Sequence, residues 1–243
     1  MSELSNYIDE YLKTEYTLKS TLKDSVQSSV YLYQKNDSAK QIVKISQKNR
    51  NDHVLRRLRG QLNKNTATIY EVCSNDEDVT VLEEYISGAT LRHIVEANGG
   101  TLKRELAVKY ALDICNGLVF IHSLGIIHRD IKPSNIIITE QGEAVIIDFG
   151  IARLTDDSKY ADTKNLGTAG YAAPEQFGIY QSGPVTDIYA VGVLLNELLL
   201  GVHPTIDTPK GKLGKVINKC IMAQMSKRYQ NVSELEDVLN QLL

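Results

Sequence analysis

The chain has 243 residues, with 27 Lys and Arg against 30 Asp and Glu and a formal net charge of -3. The length fits one large domain or two small ones, and the charge excludes a general nucleic-acid binder, which carries a basic excess. Hydrophobic residues at 42% and charged residues at 23% exclude a long disordered chain or a fibre. Three scattered cysteines (Cys73, Cys115, Cys220) without a CxxC pair exclude a disulfide scaffold and a zinc finger, and fit a reducing compartment.

Residues 3–13 read as a short helix at most. From Tyr16 to Ile45 the side chains often alternate, giving one strand around Val30–Tyr33 and another over Gln41–Ile45, with Asn36-Asp37-Ser38 as the turn. Asp52 opens a helix whose Val54, Leu55, Leu58 and Leu62 recur at helical spacing. Thr68–Cys73 and Val79–Tyr85 read as strands around the acidic turn Asn75–Asp78. After Gly88 a long helix is expected over Leu102–Leu124, then short strands over Asn135–Thr139 and Ala144–Ile147 joined at Gln141-Gly142. Asp187–Leu200 is almost wholly apolar, as in a helix buried all round, and two further helices are expected at 213–225 and 232–242. Of the 16 glycines only Gly60 precedes residue 88, and all five prolines follow residue 130. Loops, where sites concentrate, therefore belong to the later part, and the composition break at Ser87-Gly88 marks the expected boundary between residues 1–86 and 87–243. Val191–Leu200 is too short to span a membrane and is cut by Asn196 and Glu197. The first residues lack both a basic end and an apolar core, so a cytoplasmic protein is expected. His53, His93, His122 and His203 show no metal-ligand spacing.

The chemistry-bearing segment is His128-Arg129-Asp130-Ile131-Lys132-Pro133-Ser134-Asn135, followed by Asp148-Phe149-Gly150 and Ala173-Pro174-Glu175. In this order the three resemble the signature set of the eukaryotic-type (Hanks-type) protein kinase family, H-R-D-x-x-x-x-N, D-F-G and A-P-E. The run Gly167–Gln176 looks like its bacterial Ser/Thr members. The resemblance covers roughly residues 16–242 and implies an α+β, two-lobed protein kinase fold, a small antiparallel-sheet lobe (1–86) and a larger helical lobe (87–243), with ATP in the cleft between them. It implies Mg-ATP-dependent phosphoryl transfer to protein serine or threonine. Asp130 would accept or orient the substrate hydroxyl proton, Lys132 would reach the transferred group, and Asn135 and Asp148 would offer oxygens to Mg. Lys44 stands where the family's phosphate-holding strand lysine stands. Val30, Ile42, Glu83, Glu84, Ile86 and Ile137 are the implied nucleotide-binding positions. Asp187 would hold the backbone of the catalytic loop, Glu175 and Arg228 would form a buried ion pair, and Thr168 would touch Asp130 and Lys132. Expected partners are ATP and Ser/Thr-bearing protein substrates, with a second copy of the chain as a candidate for autophosphorylation at Thr163. No nucleic acid and no membrane segment are expected.

Two departures stand out. The run aligned with the Gly-rich loop, Lys23–Ser28, holds no glycine, which removes the close approach of backbone amides to phosphates. The helix that should give Lys44 a glutamate has none over residues 49–65. Glu83, on a neighbouring strand, is the expected substitute, with Asp52 as the rival. These losses favour an alternative, a pseudokinase acting as a binding or scaffold module; the retained Asp130, Lys132, Asn135 and Asp148 favour the enzyme. A small-molecule kinase of related fold is a third reading, opposed by the A-P-E segment.

Overall fold

The alternation from Tyr16 onward becomes three antiparallel strands in the structure, a computed structural model that describes residues 3–26, 28–47, 52–75, 78–156, 167–177 and 181–243. The chain divides into two units, residues 1–63 with 67–86, and residues 64–66 with 87–243.

The first unit opens with helix α1 (Glu3–Glu15) and continues through β1 (Tyr16–Asp24), β2 (Ser28–Lys35), β3 (Gln41–Gln47), α2 (Asp52–Leu58), β4 (Ile69–Ser74) and β5 (Val79–Glu84). The strands form one antiparallel sheet in the order β1-β2-β3-β5-β4. Residues opposite one another across such a ladder project to the same face, and neighbours along a strand to opposite faces. Tyr33, Ile42 and Glu84 therefore share a face with Tyr31, Lys44 and Leu82. Leu32, Val43 and Glu83 share the other face with Val30, Ile45 and Val81. Helix α1 covers the first face, where Ile8, Leu12 and Tyr16 pack with Ile42, Leu82 and Cys73. Helix α2 lies on the second. Ser74, opposite Val79 on that face, donates its hydroxyl to Asp52 at 2.9 Å and accepts from Arg56 at 3.0 Å.

Helix α2 is shorter than the apolar spacing suggests. It ends at Leu58, and Leu62 is exposed. Gly60 adopts φ 72°, a left-handed conformation that suits glycine, and its N–H donates to Ile69 O at 2.9 Å, which turns the chain toward β4.

The second unit holds β6 (Gly88–Thr90), α3 (Leu91–Ala97), α4 (Arg104–Ser123), β7 (Ile126–Ile127), β8 (Ile136–Thr139), β9 (Ala144–Ile146), β10 (Arg153–Leu154), α5 (Pro184–Leu200), α6 (Lys212–Cys220) and α7 (Val232–Asn240). Its core is helical. α4 and α5 bury Ile114, Leu118, Ile121, Ile188, Val193 and Leu194 completely, so the apolar run of α5 is buried as its sequence demands. The strands form two small sheets, β6-β8-β9 and β10-β7. Gly117 on α4 is where residues 64–66 press in: a Cβ there would lie 2.8 Å from Asn65 O. Asn65 is fully buried and donates to Ala144 O at 2.9 Å. Helix α6 ends at Cys220, earlier than the expected residue 225, and a single turn over Met225–Lys227 follows.

Candidate active site

The segment His128–Asn135 leaves β7 and is held from below by α5. Asp187, 1% exposed in the first turn of α5, accepts the backbone N–H of His128 at 2.9 Å and of Arg129 at 2.8 Å. Its Oδ2 also lies 2.7 Å from His122 Nε2 on α4. Burial pushes the Asp187 carboxyl up, and the bonds from His122 and the Arg129 amide more than offset this, holding it below the ordinary range. That grip fixes Arg129 at φ 67°, a left-handed conformation that strains a non-glycine residue by about 1–2 kcal/mol.

The strained turn presents Asp130 to three partners. Lys132 Nζ donates to Asp130 Oδ2 at 2.6 Å, Asn135 Nδ2 to the same oxygen at 2.9 Å, and the Thr168 hydroxyl to Oδ1 at 2.8 Å. Lys132 also donates to Thr168 Oγ1 at 2.7 Å, closing a ring of contacts. Burial raises the Asp130 carboxyl, but the bonds from Lys132 and Thr168 and the Lys132 charge bring it below its ordinary value. Asp130 is thus a carboxylate at neutral pH with both oxygens already oriented.

Asp148 follows β9. Asn135 O accepts the Ile147 N–H at 3.0 Å, which seats Asn135 one step from Asp148. Asp148 has φ 65° and is exposed; its Oδ1 accepts the Gly150 N–H at 3.0 Å. Phe149 is buried against the His128 ring, with centroids 5.2 Å apart. Asn135 and Asp148 are hard oxygen donors suited to a divalent cation such as Mg. Among the described residues no cluster of three or more His, Cys, Asp or Glu could cage a metal. One carboxylate and one amide oxygen fit an ion that keeps further oxygen ligands of its own.

Gln176, Tyr171 and Glu197, to which no role is assigned above, complete the frame. Gln176 is buried, donates to Arg129 O at 2.9 Å and accepts from Ala173 N at 3.0 Å, so it ties the Ala173-Pro174-Glu175 segment to the turn at Arg129. Beside it, Glu175 receives both guanidinium arms of Arg228, at 2.7 and 2.8 Å, with the two side chains 1% and 0% exposed. The Tyr171 hydroxyl donates to Glu197.

In the first unit Lys44 Nζ lies 2.5 Å from Asp9 Oδ1 on α1. Asp52 is engaged elsewhere, with Ser74 and with Arg56 at 3.3 Å. Glu84 accepts from the Thr68 hydroxyl at 2.8 Å. Glu83 is 8% exposed and stands opposite Val43 and Ile69.

A family model for the protein kinase domain matches residues 14–243. The chain belongs to the protein kinase domain family. Among its relatives, a probable serine/threonine-protein kinase of Clostridium acetobutylicum is 34% identical over 205 residues, covering 73% of this chain and 31% of the relative. A probable serine/threonine-protein kinase PknB of Bifidobacterium longum is 42% identical over 127 residues, covering 51% and 18%. A calmodulin-binding receptor-like cytoplasmic kinase of Arabidopsis thaliana is 39% identical over 153 residues, covering 60% and 37%. The chain thus spans well under half the length of these relatives.

Against the kinase pattern, the second unit holds the Asp130, Asp187, Thr168 and Glu175–Arg228 contacts that the resemblance implies, with half-buried Ile137 on β8 between Thr90 and Val145. The first unit departs from it. Lys44 does not pair with Glu83: β3 places Lys44 opposite Leu82 and Val43 opposite Glu83, so the two side chains project to opposite faces. The nucleotide positions of the first unit divide between the two faces of its sheet. Ile42 is 2% exposed in the core beneath α1, with Glu84 on its face, while Val30 and Glu83 lie on the α2 face. Ile86 is half-buried at the end of this unit. Thr163, the expected phosphorylation site, and Gln27 of the loop that lacks glycines lie outside the described residues. Arg129 donates Nε to Ile151 O at 2.7 Å.

Proposed function

We propose that this kinase domain catalyses Mg-ATP-dependent phosphoryl transfer to serine or threonine of protein substrates, with Asp130, Lys132, Asn135, Asp148 and Thr168 as its working residues. The observation that carries the reading is the closed cluster of Asp130, Lys132, Asn135 and Thr168. Phosphoryl transfer demands positioning and charge stabilisation more than covalent chemistry. With its carboxyl held low, Asp130 is a weak base; it orients the acceptor hydroxyl and takes its proton as the new oxygen–phosphorus bond forms and the bond from the γ-phosphorus to the bridging oxygen breaks, releasing ADP. Lys132 places a cation two residues from that carboxylate, where negative charge on the moving phosphoryl group is stabilised. Thr168 keeps both side chains in one geometry. Asn135 and Asp148 are the residues to hold Mg, which, bound with ATP, neutralises phosphate charge. No helix among the described residues is long and apolar enough to cross a membrane.

The Lys44–Asp9 pair favours a second reading, a module in which the fold serves binding and turnover is weak. Incubation with labelled ATP and Mg, alone and with a generic acceptor protein, separates the two. Label that exceeds an Asp130→Asn control supports the enzyme, and label equal to that control overturns it.

A further inference from the structure

We infer that Gln176 is a positioning residue for phosphoryl transfer: its side-chain amide joins the peptide that carries Asp130 to the segment that carries Thr168, so that the two are set as one. The kinetic half of this inference rests on the reading above. The Arg129–Asp130 peptide needs holding, because Arg129 adopts φ 67°, where a non-glycine residue is strained. Asp187 fixes the Arg129 N–H, on the side of Arg129 away from Asp130. The peptide that leads to Asp130 is held at both of its ends by other side chains. Gln176 Nε2 donates to Arg129 O at 2.9 Å, and the Asp130 N–H donates to His128 Nδ1 at 3.3 Å.

Gln176 and Arg129 are 2% and 8% exposed, so the bond between them is sheltered from water. The amide has one orientation. Its Oε1 accepts the Ala173 N–H at 3.0 Å, and the Gln176 N–H donates to Ala173 O at 2.9 Å, which leaves Nε2 turned toward Arg129. Gly167 lies against the same amide: a Cβ there would be 2.9 Å from Gln176 Nε2 and 2.9 Å from Ala172 Cβ. The next residue is Thr168, whose carbonyl accepts the Tyr171 and Ala172 N–H groups, both at 3.0 Å, and closes residues 168–172 into a turn. Thr168 then returns to the start, donating its hydroxyl to Asp130 Oδ1 at 2.8 Å. The path is a ring that runs from Asp130 through Arg129 O, Gln176, Gly167 and Thr168 back to Asp130. A shift of the Gln176 amide therefore displaces the Asp130 carboxylate through its backbone and through its hydroxyl partner at once.

The test uses Gln176→Met, of similar volume but without the amide, and Gly167→Ala, each in the full chain and again in the Asp130→Asn background. Label transfer from ATP to a generic acceptor protein gives kcat and KM, and calorimetry gives the stoichiometry of Mg-ATP binding, so that unfolded protein is not mistaken for slow protein. Each variant is expected to lower kcat about tenfold to a hundredfold, as a small misplacement of a reacting group does, with the KM for Mg-ATP and the binding stoichiometry unchanged. In the Asp130→Asn background each is expected to change kcat by less than about threefold, because the group that they position is gone. An unchanged kcat in Gln176→Met, or a loss as large with Asp130→Asn as without it, overturns the inference. If Gln176→Met does not fold, Gly167→Ala, at an exposed position, decides by the same comparison. If the parent itself transfers no phosphate, the proposed function fails, and amide exchange decides the link alone. Gln176→Met should then speed exchange over residues 126–132 and 168–173 together, and faster exchange in one segment only, or in neither, overturns it.

Discussion

Lys132 in the second unit and Lys44 in the first each hold a carboxylate, at 2.6 and 2.5 Å, yet the two pairs arise in different ways. The partner of Lys132 is two residues away on one strained turn, and the same carboxylate is bound by Asn135 and Thr168. The partner of Lys44 lies 35 residues away on another element, and sheet register alone decides which acid it can meet. The first pair is set by the geometry of one turn, which Asp187 holds from α5. Chemistry that depends on which way a strand faces is reassigned by a one-residue change of register.

The comparison breaks first at Asp130. Asp130→Asn is expected to lower phosphoryl transfer about 10²–10⁴-fold while Mg-ATP affinity stays within a few-fold. Asp148→Ala should lose that affinity, and equal calorimetric losses in both variants would refute the division of roles. Next comes Arg228→Met, which leaves Glu175 buried without its cation and should cost about 3–5 kcal/mol of stability in urea titration. A loss no larger than that from Asp9→Asn would mean that the second unit is not the more firmly tied of the two.

A third test concerns pH. Burial holds the His128 imidazole below its usual value of 6.5, against the raising influence of Asp187. The unfolded chain then binds a proton at a pH where the folded one does not. This contribution to stability is complete above about pH 6.5 and declines as the pH falls below it, by at most about 1.4 kcal/mol per pH unit. Denaturant midpoints at pH 7.5 and 5.5 should differ less in His128→Asn than in the parent. The smallest effect is expected at Arg92–Glu96, both 62% exposed, where Glu96→Gln should change stability by only about 0.3–0.5 kcal/mol.

Much of the second unit was legible in the sequence because its signals are local. The apolar spacing of Leu106–Ile121 gave α4, and the uninterrupted apolar run after Asp187 gave α5. The His128–Asn135 motif holds Asp130, Lys132 and Asn135 within six residues, and the run Gly167–Gln176 adds Thr168. His122 stood out only by its lack of metal-ligand spacing, and its bond to Asp187 crosses 65 residues with no local sign. The face of Lys44 was not legible for a different reason. Ile42, Val43 and Ile45 are all apolar because helices cover both sides of the sheet, so the period-two pattern that normally tells inside from outside is erased. Asp9, in a helix that read as marginal, carried no mark of its partner. Leu62 was misread because helical spacing outlasted the helix, which Gly60 had already ended.

The three thiols divide between the units: Cys73 lies in the first, 3% exposed on the face that α1 covers, and Cys115 and Cys220 lie in the second, 0% and 1% exposed. All are free, and burial pushes each above its ordinary range, Cys220 up to about 12. A thiol reagent can attack only a molecule that has opened around its target, because the thiolate is the nucleophile and here it neither forms readily nor meets solvent. The native chain therefore carries its own pair of clocks. The rate at which Cys73 is modified times the lifting of the N-terminal helix, and the rates at Cys115 and Cys220 time the opening of the helical core.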